Sequence, residues 1–285
     1  MKSFKQLAEL DPNTILIVDG LNLSFRWRGK VDFKDSYVNT VFSFQKSYKA
    51  GKVIITCDKG KSLYRTEMYP EYKANRALLR SKQTELERLE FAAFFKEFNC
   101  AIDILKSSEY EGAGKNKVLQ YEGVEADDLM AYIVRKHSKS HKVWLISTDK
   151  DIDLLISDSV SRFSYVTKKE ITKDNWYEHY DYDMDKHLSI KCLISDPGDN
   201  IPGVEGIGPK RAQALVEEYG DIYGIISSLP IISKYKYIQS LNNFGAENLL
   251  RNCNLMDLVS YCEEAVGVDN CKDIDIKLGE YLNDR

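Results

Sequence analysis

Short aliphatic runs recur along this chain, and several of them stop at an acid. Ile15–Val18 is followed by Asp19, Val53–Cys57 by Asp58, and Val143–Ile146 by Ser147, Thr148, Asp149 and, two residues on, Asp151. Runs this short, apolar at successive positions rather than alternating, predict strands covered on both faces, as in a parallel sheet. Helical spacing lies between them. Ser36–Ala50 carries Tyr37, Val38, Val41, Phe42, Phe44 and Tyr48; Lys82–Phe98 carries Leu86, Leu89, Ala93 and four phenylalanines; Asp127–Lys136 is a third helix. Lys117–Tyr121 and Val160–Tyr165 read as further strands, and Lys106–Lys117, with Gly112 and Gly114, as a mobile loop. The alternation predicts an α/β layered domain over residues 1–190. Residues 191–285 read as mostly helical: Asp199–Gly220 forms a unit of its own, and Ser233–Glu280 is expected to pack back on the core.

Composition changes this picture little. The chain has 285 residues, 43% hydrophobic and 29% charged, as expected of an ordinary globular protein. No stretch approaches the roughly 18 apolar residues of a membrane span. The N-terminus lacks the apolar core of a signal peptide, so an intracellular, cytoplasmic protein is expected. The six cysteines form no C-x-x-C pair and read as reduced structural thiols. The four histidines lack zinc-site spacing.

Charge matters more. The strand-end acids are joined by Glu125-Ala-Asp127-Asp128 and Asp196-Pro-Gly-Asp199, nine carboxylates in all. Ligands of open parallel sheets bind beyond the carboxyl ends of the strands. Acids converging there repel unless cations are present. Singly, Asp19 or Asp58 would be read as a helix N-cap, and Asp128 as a first-turn partner of the helix dipole. Convergence outweighs those readings. Asp149 and Asp151 would point the same way in an extended segment, and Asp196 and Asp199 would share a face if helical. Glu125 precedes its helix. An all-oxygen set suits Mg²⁺ or Mn²⁺, and nine acids exceed the needs of one ion. Two such ions are a standard clamp for phosphodiester hydrolysis. The net charge of −4 becomes +5 once these nine are set aside as ligands. Between Lys59 and Lys82, seven Lys or Arg face two Glu, a local field suited to a polyanion.

Two more constellations fit a nucleic acid. In Tyr72-Lys73-Ala-Asn-Arg76, two cations at helical spacing lie beside an aromatic ring, which suits a phosphodiester with an adjacent unstacked base. Alone, such a string is more often a solvated basic face. In Gly203-Val-Glu-Gly206-Ile-Gly208-Pro209-Lys210-Arg211, a tight glycine turn feeds a helix whose first residue is proline. Backbone N–H groups there, with Lys210 and Arg211, suit an anion, and the string has a helix-hairpin-helix pattern.

Together these strings resemble the 5′-nuclease superfamily, which includes phage flap endonucleases and the 5′-nuclease domain of bacterial DNA polymerase I. The matching segments are Val18-Asp19-Gly20, Tyr72-Lys73-x-x-Arg76, Gly123-Val-Glu125-Ala-Asp127-Asp128, Ser147-Thr-Asp149-Lys-Asp151, Asp196-x-Gly-Asp199-Asn-Ile-Pro-Gly203-Val and Gly206-Ile-Gly208-x-Lys210. The length is similar to that of the free-standing phage-type enzymes. The resemblance implies a parallel-sheet, PIN-like nuclease core with a helical arch over about 59–117 and a C-terminal helix-hairpin-helix region. It implies one metal group at Asp19, Asp58, Glu125 and Asp127 or Asp128, and another at Asp149, Asp151, Asp196 and Asp199. It gives Lys73 and Arg76 the attacked phosphate and Tyr72 a terminal base. Lys191 becomes a substrate contact, and Gly206, Gly208, Lys210 and Arg211 a grip on duplex DNA around a K⁺ ion. Two positions depart from many relatives: Ser195 stands for Gly, which could shift the loop around Asp196, and Arg211 stands for Thr, which adds phosphate contact.

The expected activity is cleavage of DNA flaps near the 5′ single-strand to duplex junction, with 5′→3′ exonuclease action. Two Mg²⁺ ions would serve it, with Mn²⁺ as a substitute. The expected partners are DNA and a polymerase in trans, with the protein a monomer, in the host cytoplasm if phage-encoded, and with no membrane. A PIN-type ribonuclease shares the sheet logic but usually lacks arch and hairpin. A non-catalytic junction binder should have lost acids, and every expected acid is present.

Overall fold

The computed structural model describes residues 10–107 and 116–283. In chain order the elements are β1 (Asp11–Asp19), α1 (Gly20–Ser24), α2 (Phe33–Ser47), β2 (Ala50–Thr56), α3 (Leu63–Met68), α4 (Ala74–Ser81), α5 (Glu85–Lys106), β3 (Asn116–Leu119), α6 (Ala126–His137), β4 (Lys142–Ile146), β5 (Val160–Ser164) and β6 (Lys169–Ile171). They continue with α7 (His187–Leu193), α8 (Pro209–Tyr219), α9 (Ile222–Ser227), α10 (Lys236–Met256), α11 (Cys262–Val266) and α12 (Val268–Asn283). The strands form one sheet in the order β3-β2-β1-β4-β5-β6, parallel except for β6 on β5.

That order explains the apolar runs. Ile15–Val18, Val53–Ile55 and Val143–Ile146 apart from Trp144 are fully buried, and Trp144 nearly so, because helices cover both faces of the sheet. Leu16, Val18, Val53, Ile55 and Ile146 join the core beneath α2 and α5, with Phe33, Tyr37, Phe94 and Phe98. The alternate residues face the side on which α6 lies. From β1 the chain builds outward through β2 and β3, then returns to place β4 on the other side of β1. The carboxyl ends of β1 and β4 therefore flank the point where the winding reverses, the usual place for a ligand crevice.

The chain divides into two compact units. One comprises residues 1–62, 83–173 and 262–285; the other comprises 63–82 and 174–261. This differs from a single boundary at 190, for two local reasons. The last helix belongs with the sheet: the Tyr281 hydroxyl donates to Val53 O at 3.1 Å and accepts from Val53 N at 2.8 Å. Lys52 Nζ donates to Tyr281 O at 2.7 Å. In the second unit, Arg65 Nε donates to Leu255 O at 2.8 Å, and Tyr72 lies in a core with Ile190, Leu215, Leu241 and Leu249. The expected arch segment 59–117 is thus shared between the units. Most of the expected loop Lys106–Lys117 lies outside the described residues.

Other boundaries shift for physical reasons. The α2 helix stops at Ser47, short of the expected Ala50, because Lys49 takes a left-handed φ of 51° and β2 already begins at Ala50. The α5 helix starts at a capping box between Thr84 and Glu87 and runs to Lys106, beyond the expected Phe98. The β6 edge was not expected; three residues are too few to carry a periodic signal. The tie at Tyr281 makes a prediction. Tyr281→Phe leaves a buried N–H and C=O of β2 without their partner and is expected to cost about 1–3 kcal/mol. Urea unfolding measures this, and an unchanged midpoint contradicts it.

Candidate active site

The first unit gathers carboxylates at the carboxyl ends of its strands. Asp19 ends β1 and is 6% exposed. It is the N-cap of α1, accepting from Asn22 N at 3.1 Å, so the ordinary role of such an acid is realised. A second bond distinguishes it. The Ser147 hydroxyl, just past β4, donates to Asp19 Oδ2 at 3.0 Å. Burial pushes the Asp19 carboxyl up to about 8, and the neighbouring charges of Asp58 and Asp149 add to the shift against the lowering hydrogen bonds. The charges of Asp58 and Asp149 thus both act on Asp19 at the strand ends.

Hydrogen bonds also engage other acids of this unit. Asp58 Oδ1 accepts from Ala126 N at 2.7 Å, joining the end of β2 to the first turn of α6. Glu125 is the N-cap of that helix and is buried; Asp128 is fully buried and Asp127 half-buried. Asp149 N donates to Ser147 Oγ at 3.1 Å, and Asp149 Oδ1 accepts from Asp151 N at 2.9 Å. The last bond corrects the expected extended segment. Asp151 opens a 3₁₀ turn, Asp151–Leu155, so Asp149 and Asp151 are related by a side-chain turn and not by strand spacing. Asn22 closes the ring: its Oδ1 accepts from Thr148 N at 3.1 Å and Thr148 Oγ1 at 3.0 Å.

The donor set is oxygen throughout and fits a hard divalent cation. Among the described residues, no three His, Cys, Asp or Glu side chains converge closely enough to be a ready-made cage. An ion here would take part of its shell from water, as Mg²⁺ usually does.

In the second unit the predicted residues meet around one acid. Asp199 accepts from Tyr72 Oη at 2.9 Å and Arg76 Nη2 at 2.8 Å, with Lys73 Nζ 3.5 Å away. Lys73 has a left-handed φ of 53°, an unfavourable backbone for a lysine, and its N–H donates to Asp199 O at 2.9 Å. Lys73 thus precedes α4 instead of sharing a helical face with Arg76. Tyr72 is 2% exposed, its ring packed in the unit's core. A ring so placed presents no face to a base, which corrects its expected stacking role. Asp196 and Asp199 are not on a helix either. Asp196 pairs with Ile201 in a bridge, and its Oδ1 accepts from Gly198 N at 2.9 Å and Asp199 N at 3.2 Å.

The hairpin follows directly. A Cβ on Gly203 would stand 2.1 Å from Ser195 N, so only glycine allows the two backbones to meet. Ser195 itself needs no left-handed backbone, and its difference from glycine leaves the Asp196–Ile201 bridge intact. Gly206 turns the chain at φ 77°, and Gly208 is the N-cap of α8. Gly203–Gly208 and Ser195 line an open concavity of about 450 Å³. Lys210 is exposed beside it. Arg211 is engaged within the turn: Nη1 donates to Gly206 O at 2.6 Å, and the guanidinium stacks 4.6 Å above Tyr237. Lys191 lies in the last turn of α7, half-buried. Asn22 and Ser147 were missed as site residues. Ser147 belongs to a quoted motif, but nothing in a sequence marks a serine as the bridge between two acids.

The raised Asp19 carboxyl makes a prediction for cation-free protein. Its folded value lies above the ordinary 3.8, so its contribution to stability is full below that value and is lost as pH rises through about 8. Asp58→Asn removes the leading like charge and should make the fall in Tm across this window shallower. Identical Tm profiles for the two proteins contradict the assignment.

Comparison with known proteins identifies the family. Residues 14–181 match the family model of the 5′-3′ exonuclease N-terminal resolvase-like domain, and residues 183–277 that of the 5′-3′ exonuclease C-terminal SAM fold. The chain is 43% identical over 258 residues to the flap endonuclease of Escherichia phage T5, covering 88% of this chain and 86% of that protein. It is 31% identical over 229 residues to DNA polymerase I of Thermus aquaticus, covering 75% of this chain and 25% of the polymerase. A crystal structure of the phage T5 flap endonuclease with DNA and metal ions superposes with a TM-score of 0.88 at 40% identity, covering 95% of this chain and all of that one. With both family models matched in sequence over nearly its whole length, the chain belongs to the 5′-3′ exonuclease family.

Proposed function

We propose that this protein is a structure-specific 5′ nuclease that hydrolyses DNA at 5′ flaps and junctions and degrades 5′ ends as a 5′→3′ exonuclease. The observation that carries the reading is the bridge from Asp19 to Asp149 through the Ser147 hydroxyl at the sheet's carboxyl edge, with the charge of Asp58 close by. Kinship with a phage flap endonuclease supports the substrate class. The metal ions and DNA of the related T5 structure support the cofactor class. Two Mg²⁺ ions are the proposed cofactors, replaceable by Mn²⁺. When bound they would activate water and offset charge on the phosphate.

The residues have the following proposed roles. Asp19, Asp58, Glu125, Asp127, Asp149 and Asp151 hold the ions, directly or through water. Asp128, wholly buried, supports the start of α6. Asp196 and Asp199 are proposed as further ligands. Lys73 and Arg76, gathered by Asp199, stabilise charge on the attacked phosphate. The Gly206–Gly208 turn and Lys210 grip the duplex backbone, with Lys191 as a further contact and Arg211 bracing the turn. A K⁺ ion at the backbone of the hairpin concavity completes the cofactors. The protein acts as a monomer, with a polymerase in trans, in the cytoplasm, the host's if it is phage-encoded.

The direct test is a 5′-labelled flap incubated with Mg²⁺, with EDTA, and with Asp149→Asn protein. Short junction-proximal products that need both Mg²⁺ and the acid are expected. Tight flap binding with no cleavage would support a junction binder instead, and equal cleavage of an RNA flap of the same sequence a ribonuclease. Lys73→Ala should lower kcat by roughly 10²–10³ while leaving DNA binding nearly unchanged. Lost binding with intact turnover contradicts that role. Lys210→Ala should flatten the log–log salt dependence of binding by about one phosphate contact; an unaltered slope removes Lys210 from the DNA backbone.

A further inference from the structure

Behind the carboxylates of the first unit lies a buried ion pair to which the proposed chemistry gives no part. Arg162, on β5, is 3% exposed, and Asp153, in the 3₁₀ turn after Asp151, is 2% exposed. The contact is bidentate: Arg162 Nε to Asp153 Oδ1 at 2.5 Å and Nη2 to Oδ2 at 2.8 Å. The third nitrogen, Nη1, donates to Ser147 O at 3.0 Å. One planar guanidinium thus fixes β5, the turn carrying Asp151, and the residue that leaves β4.

Burying such a pair costs about as much as it returns, so stability is a poor reason for it. Its geometry suggests another. Ser147 is fully buried, and its hydroxyl has two partners: it donates to Asp19 and accepts from the N–H of Asp149. A shift of Ser147 moves both acids relative to each other. A fork of five fixed donors is suited to holding a backbone carbonyl while clamping a carboxylate; a lysine is not.

We propose that Arg162 and Asp153 are positioning residues that act through Ser147 to fix the spacing of Asp19 and Asp149 for a divalent cation. The proposal rests on the nuclease reading above. Supporting residues behind metal ligands commonly change metal affinity by about 10–100-fold when altered. Here they act on two ligands at once, through one hydroxyl.

The test uses full-length protein without DNA, with Mn²⁺ as the probe followed by electron paramagnetic resonance. Ser147→Ala removes a single oxygen, and Arg162→Lys keeps the charge but not the fork. Each is expected to weaken Mn²⁺ binding by roughly tenfold and to raise the Mg²⁺ concentration for half-maximal flap cleavage to a similar degree. Tyr281→Phe, destabilised at a distant tie, should keep wild-type Mn²⁺ affinity. Circular dichroism and Tm establish that each variant is folded. If Ser147→Ala and Arg162→Lys bind Mn²⁺ like wild type, whatever their Tm, the positioning role is overturned while the nuclease reading stands. If wild-type protein binds no Mn²⁺ and cleaves no flap, the nuclease reading falls, and this inference with it.

Discussion

Carboxylates brought to the ends of neighbouring parallel strands repel one another, and much of the first unit's local structure is arranged to hold them there. Asp19 is the centre of the problem. It is nearly buried, with the charges of Asp58 and Asp149 both within reach. The bonds shown to hold it come from neutral donors: the Asn22 amide and the Ser147 hydroxyl. Neutral donors position a carboxylate without cancelling its charge. The cost of the cluster remains as a raised Asp19 carboxyl, available to any cation that enters.

The second unit handles its key acid differently. Asp199 is met by Lys73, Arg76 and the Tyr72 hydroxyl, so its charge is compensated within the protein. Lys73 and Arg76 are thereby held on one carboxylate. Two units of one chain thus prepare opposite fields. In the first, like charges act on one buried carboxyl; in the second, two cations meet one acid.

Much of this was legible in the sequence, because strand ends and tight turns leave local marks. The apolar runs located β1, β2 and β4, and the acids beyond them lie at the strand ends. Gly203 and Gly206 marked a turn that the structure makes at those residues. What escaped notice depends on contacts between distant parts of the chain. Ser147 reaches Asp19 across 128 positions, and Tyr281 reaches Val53 across 228. A tyrosine beside two cations reads the same in sequence whether its ring is open or buried; for Tyr72 only the second unit's core decides. The spacing of Asp149 and Asp151 misled because a side-chain turn and a strand both accept acids two apart.

Without a cation, the buried Asp19 carboxyl should hold a proton that a bound ion displaces. Calorimetric titration of Mg²⁺ into DNA-free protein at pH 7, repeated in buffers of different ionisation enthalpy, tests this most directly. With Asp19 titrating near 8, binding should release about one proton, and Asp19→Asn should abolish the release. Binding with the same heat in every buffer, or no Mg²⁺ binding at all, would contradict it.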